Sequence, residues 1–261
     1  MAQRLHHYTR HMRGCHEGTL DITNQIVNWL ELARQSNLGL PRMEKLPLFP
    51  LNMVLFPGTP ISLHIFEERY KLMIGQCISA RQPFGVVLLT SGTAEERPGQ
   101  KVETALVGCT ASITQVQPVA MGRMNIVAVG KERFVIHKFM YDQPYLAGLI
   151  DRQPIPDLVA YDHDMMRRAM QSYILQYAEL IARFESVELD TRTLPDNPLH
   201  LAFLAMALLR APASDKQAVL QAENEYDAVH TASGLIRRET ALLKVMTRPA
   251  PSDPNEVFSQ N

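Results

Sequence analysis

The sequence predicts an α+β protein in two parts. The first is a β-rich curled sheet or pseudo-barrel over residues 45–153, and the second an α-helical bundle over residues 154–248. Three observations predict this. Leu46–Tyr70 (LPLFPLNMVLFPGTPISLHIFEERY) is apolar at almost every second or third place and interrupted by four prolines. Strand-like runs then follow one another from Phe84 to Asp151. After Pro154-Ile155-Pro156 the apolar spacing becomes helical.

Within Leu46–Tyr70, proline lacks a backbone donor and is foreign to a central strand. The stretch should therefore be short extended pieces, with Phe56-Pro57-Gly58 as the sharpest break. A helix follows from about Glu67 to Arg81, with Tyr70, Met73, Ile74, Cys77 and Ile78 on one face and Pro83 as its stop. Phe84–Thr90 has the composition of a buried strand. Four more strands are expected: Ala105–Val116, Met124–Val129, Arg133–Tyr141 and Tyr145–Asp151. Met121-Gly122 marks a turn between the first two, and Gly130-Lys131-Glu132 a turn between the second and third.

In the helical part, Met166, Met170, Tyr173, Tyr177, Leu180, Ile181 and Phe184 form one stripe of a long helix over Tyr161–Glu185. Asn197-Pro198 reads as an N-cap followed by proline at the first helical position. The helix that they open, LHLAFLAMALLR, is apolar nearly all round and should lie at the centre. Ser214-Asp215-Lys216-Gln217 reads as a capping box. A last helix covers about Glu225 to Met246, and the tail over 249–261 has a disordered composition. Residues 1–44 are expected to be an N-terminal extension with one amphipathic helix over 21–34. It is either an added arm or an over-extended gene start, with Met43 opening the domain proper. Trp29 and Leu30 leave both self-association and packing against the chain's own domain open.

LPLFPL, VLFPG and HIFEERY, in that order within about 25 residues, resemble the opening of the Lon N-terminal, or substrate-binding, domain. GCTASI at Gly108–Ile113, GRMNIVAVGKERFVI at Gly122–Ile136 and PYLAGLI at Pro144–Ile150 resemble its later strands. DNPLHLAFLAMALL and SDKQAVLQ resemble its helical subdomain. Two places depart from the pattern: Glu68 stands where the family usually has proline, and Met121 where it often has an acidic residue. The resemblance implies a free-standing, non-catalytic member with a PUA-like sheet. Its implied role is to bind unfolded or degron-bearing polypeptides, as an adaptor or regulator in protein quality control beside a protease or chaperone partner.

Composition narrows the alternatives. With 46% hydrophobic and 20% charged residues and a formal net charge of -1, bulk charge calls for neither nucleic acid nor an anionic membrane. Three dispersed cysteines without CxxC suggest no zinc site and no disulfide framework, and fit a reducing cytoplasm. No apolar run is long enough to span a membrane. No GxxxxGK[ST] cradle for a nucleotide phosphate is present. His7, His11 and Cys15 would share a helical face, but Gly14 and Gly18 weaken that helix. Cys77 and Cys109 fall on an apolar helix face and in a strand, and read as structural. Asp162 and Asp164 beside His163 read as helix-start residues. No enzymatic activity, cofactor or metal is expected. Arg123, Lys131, Arg133 and Lys138, with Phe134 and Phe139, are the basis of an alternative: an RNA- or small-molecule-binding PUA-like barrel. Glu132 and Asp142 dilute that strip. The expected peptide surface is lined by Phe56, Leu63, Ile65 and Phe66, with Glu67, Arg69 and Tyr70 at its margin.

Overall fold

The computed structural model describes residues 43–91, 103–156, 162–185 and 194–246. The described strands form one sheet: β1 (Glu44–Leu51), β2 (Pro60–Ile65), β3 (Phe84–Ser91), β4 (Glu103–Thr104), β5 (Val107–Pro118), β6 (Met124–Met140) and β7 (Ala147–Arg152). Helix α1 (Glu68–Ala80) lies between β2 and β3 in the chain. Helices α2 (His163–Glu185), α3 (Pro198–Leu208), α4 (Ala213–Leu220) and α5 (Glu225–Met246) follow the last strand. The mixed class, with a curled sheet first and a helical bundle after it, is as the sequence predicts. The helix expected over 21–34, the His7–His11–Cys15 set and the C-terminal tail lie outside the described residues.

Strand order is β1-β7-β6-β5-β3-β4, with β2 attached to β6, and β1 also pairs with β3. The sheet thus curls until β1 meets β3. Residues Glu44–Pro47 pair antiparallel with β7, and Leu48–Leu51 pair parallel with β3. This division explains how β1 holds Pro47 and Pro50 inside one central strand, against the expectation that proline would break it. Leu48 N–H donates to Leu146 C=O on the β7 side at 2.8 Å. Backbone groups alternate sides, so Pro50 turns its donorless nitrogen to the same side, past the end of the β7 ladder. Pro47 turns its nitrogen toward β3, one residue before that ladder begins. Neither proline removes a ladder hydrogen bond.

The turn expected at Gly130-Lys131-Glu132 does not exist. Strand β6 runs unbroken for 17 residues through it. The glycine serves close approach instead: a Cβ at Gly130 would lie 2.1 Å from the Phe56 carbonyl oxygen. Opposite it the β5–β6 register shifts between Cys109 and Ala111, which lets the long strand bend. The turn at Met121-Gly122 does form. Both residues have positive φ, 60° and 67°, as a type I′ turn requires.

Helix α1 buries Tyr70, Met73, Ile74 and Cys77 against Phe49, Leu55, Ile61, Ile65, Phe84 and Ile126 of the sheet region. Ile78, expected on that face, is 38% exposed. A second cluster joins the sheet region to the bundle. Val54, Phe56, Leu88 and Val107 pack with Met170, Ile174, Leu201, Phe203, Met206, Val229 and Ile236. Each such fully buried side chain contributes about 1.5–3 kcal/mol. Polar contacts cross the same seam. Arg133 donates to Leu220 C=O at 2.8 Å, and buried Gln217 donates to Val107 C=O at 2.9 Å; Arg133 also donates to Gln153 C=O, just past β7, at 3.0 Å. Gln217 is therefore no capping-box partner. The cap of α4 is Pro212, whose carbonyl accepts from Asp215 and Lys216 N–H, so Ser214 lies inside the helix. Asn197 caps α3 as its sequence predicts, accepting from His200 N–H at 3.0 Å.

Candidate functional site

A groove of about 420 Å³ opens where the C-terminal ends of β1 and β3 meet the end of β2 and the start of α1. Phe49, Pro50, Leu51 and Asn52 form one side, and Leu63, His64, Ile65, Phe66 and Glu67 the other, with Tyr70 and Leu89 completing it. Ile65, Tyr70 and Phe49 are nearly buried, whereas Phe66 is 59% exposed. Phe49 and Tyr70 are stacked, and Phe84 lies behind Phe49 with centroids 6.2 Å apart. Period-two alternation along β2 buries Ile61 and Ile65 and leaves Ser62 and His64 exposed.

Polar groups hold the rim. Arg69 Nε donates to Glu67 at 2.9 Å, and its guanidinium lies 4.7 Å from the centroid of the Tyr70 ring. His64 Nδ1 donates to Asn125 Oδ1 on β6 at 2.6 Å, and its ring lies 5.9 Å from that of Phe66. The site is thus an apolar, aromatic depression with a paired, charge-balanced margin. It can take up apolar side chains. Among the described residues no group of His, Cys, Asp or Glu is arranged to hold a metal.

Of the expected lining, Leu63, Ile65, Phe66, Glu67 and Tyr70 border the groove, and Arg69 stands beside it. Phe56 does not. It is 1% exposed and turned to the bundle, with its ring 5.4 Å from Phe203. Successive residues of the extended segment 54–56 alternate sides, so Leu55 packs beneath α1 while Val54 and Phe56 face the helices. Phe49 through Asn52 and Leu89 were not expected there. They join the site through the parallel β1–β3 pairing, which has no local sequence signal. Phe49 lies within LPLFPL, where its place in an apolar run is visible but its face is not.

The other candidates resolve otherwise. Burial pushes the Cys77 thiol up to about 11 and the Cys109 thiol up to about 12. Both stay protonated and unreactive near neutrality. Asp162 accepts from Met165 N–H at 2.9 Å, which is a helix-start role. The basic strip is not assembled as a stacking surface: Phe134 is 0% exposed and Arg133 donates to Leu220 C=O of the bundle. Among the described residues no helix is long and apolar enough to cross a membrane.

Comparison with known proteins bears on the same residues. The family described as the ATP-dependent protease La (LON) substrate-binding domain matches residues 45–238. A Lon protease of Anaeromyxobacter dehalogenans is 24% identical over 208 residues, which are 78% of this chain and 24% of that protein. A LON peptidase N-terminal domain and RING finger protein of Schizosaccharomyces pombe is 29% identical over 183 residues, covering 63% of this chain and 36% of that protein. The chain therefore spans well under half the length of these relatives. Among solved structures, a Lon N-terminal domain protein from Xanthomonas campestris superposes with a TM-score of 0.53 at 21% identity, covering 72% of this chain and 95% of that one. The N-terminal domain of Mycobacterium avium complex Lon protease gives 0.55 at 15% identity, covering 74% and 98%. These likenesses establish the fold, and the match across residues 45–238 establishes the membership: the chain belongs to the Lon substrate-binding domain family.

Proposed function

We propose that this chain binds unfolded or degron-bearing polypeptides reversibly through the groove between β1, β2 and α1. It serves as an adaptor or regulator in protein quality control, working with a protease or chaperone partner. The observation that carries this is the apolar groove lined by buried Phe49, Ile65 and Tyr70 and by exposed Phe66, in a domain of the substrate-binding family. A chain that has lost its fold exposes the apolar side chains that such a depression takes from water. No bond is made or broken, so release needs only dissociation. A PUA-like pseudo-barrel is our reading of the sheet, supported by β1 pairing with both β7 and β3. A cytoplasmic setting suits the buried free thiols Cys77 and Cys109.

The test is fluorescence anisotropy with a labelled, permanently unfolded polypeptide. Phe66 is largely exposed, so Phe66→Glu leaves the fold intact and should weaken binding by about tenfold through lost apolar contact. Unchanged affinity would place the binding surface elsewhere.

A further inference from the structure

Among the described residues, β2 pairs with β6 and with no other strand. The ladder shows which of its backbone groups are uncommitted. Thr59 C=O accepts from Gly130 N–H at 2.9 Å. That pair continues the register through Ile61/Ala128, Leu63/Ile126 and Ile65/Met124. Hydrogen-bonded and non-bonded pairs alternate along an antiparallel ladder. Ile61, Leu63 and Ile65 are therefore committed to β6, and Pro60, Ser62 and His64 turn their backbone groups to the open side. Pro60 has no N–H to offer there, the position where proline is tolerated in an edge strand. Ser62 and His64 are exposed. No charged residue occurs from Gly58 to Phe66, so this edge lacks the charges that commonly shield one. Its second half, Leu63–Phe66, is a wall of the groove.

We propose that an extended polypeptide pairs its main chain with Ser62 and His64 on the open edge of β2, while alternate side chains enter the groove against Phe49, Leu63 and Phe66. This rests on the binding reading above and adds the substrate class: a segment in β conformation with free backbone N–H groups at every second position. Uncommitted N–H and C=O groups in a row complement another extended backbone. The apolar groove running beside them selects a single segment that brings side chains, rather than the edge of a second folded copy.

The experiment uses the full chain and a short fluorescein-labelled peptide alternating Phe with Ser. Ser62→Pro removes the outward donor without touching the β6 ladder, and Ser62→Ala removes only the hydroxyl. Ser62→Pro should raise Kd by about tenfold and Ser62→Ala by less than about twofold, with melting temperatures near that of the parent. On the parent protein, N-methylation of the peptide's Phe nitrogens and of its Ser nitrogens should differ, one phase abolishing binding and the other preserving it. The methylation pair decides the matter even if Ser62→Pro fails to fold. Equal loss in both phases, or full binding by folded Ser62→Pro, overturns edge pairing and leaves groove binding standing. No binding of the unmethylated peptide overturns both. A concentration-dependent dimer that Ser62→Pro dissolves, with no effect of methylation phase, assigns the edge to a second copy and overturns the proposal.

Discussion

The ring of Tyr70 lies against the ring of Phe49, with centroids 4.1 Å apart and planes 12° from parallel. One comes from the first turn of α1 and the other from β1, so the stack ties the helix start to the strand. It also forms the floor on which the groove rests, and Arg69 covers the same tyrosine ring.

The stack should behave as a coupled pair. Phe49→Leu and Tyr70→Leu should each destabilise by about 1–3 kcal/mol. Their double variant should lose about 1 kcal/mol less than the sum. Urea unfolding of the four proteins measures this, and strict additivity would mean that the rings are neighbours without a specific interaction.

Two glycines should respond in opposite directions. Alanine at Gly130 must displace the Phe56 backbone, whose oxygen would be 2.1 Å from the new Cβ. Gly130→Ala is expected to cost about 3 kcal/mol or more. Gly75 lies within α1 with nothing within 4 Å of its Cβ position. Gly75→Ala should stabilise by about 0.5–1 kcal/mol, because alanine loses less backbone freedom in a helix. Thermal melts compare them directly.

Both described thiols should disfavour alkaline conditions. Their folded pKa values are raised above the ordinary thiol value of 9.0, to about 11 for Cys77 and about 12 for Cys109. The unfolded chain therefore releases its thiol protons first, and unfolding is favoured as pH rises. The contribution is fully present below about pH 9 and is lost as pH climbs through about 11 and 12. Urea unfolding across this range should show a steeper alkaline decline for the parent than for Cys77→Ala/Cys109→Ala, each referred to its own stability at neutral pH. Parallel profiles would mean that the thiols titrate normally in the fold.

Much of the architecture was legible because it rests on local rules. The helical spacing of Tyr70, Met73, Ile74 and Cys77 marks the buried face of α1. Asn197-Pro198 marks the start of α3 through its own side chain and ring. Met121-Gly122 marks the turn between β5 and β6 because few residue pairs tolerate positive φ twice in succession. Of the seven residues expected at the surface, the five that border the groove all lie within Leu63–Tyr70, where strand alternation and helix start are written in adjacent residues.

What was illegible depends on partners distant in the chain. Gly130 reads as a turn until the Phe56 carbonyl is placed over it. Gln217 reads as part of a cap until Val107 supplies a buried acceptor from 110 residues away. Pro47 and Pro50 read as breaks until β1 is divided between β7 and β3. The residues themselves settled the α+β class, the turn and cap chemistry and the apolar run that founds the sheet, since these follow from dihedral preference and spacing along a few neighbours. The three-dimensional arrangement settled that β2 pairs with β6 alone among the described strands and that Phe49 rather than Phe56 borders the groove. A side chain's face is set by the strand beside it, and that strand is chosen by contacts that no local window of sequence contains.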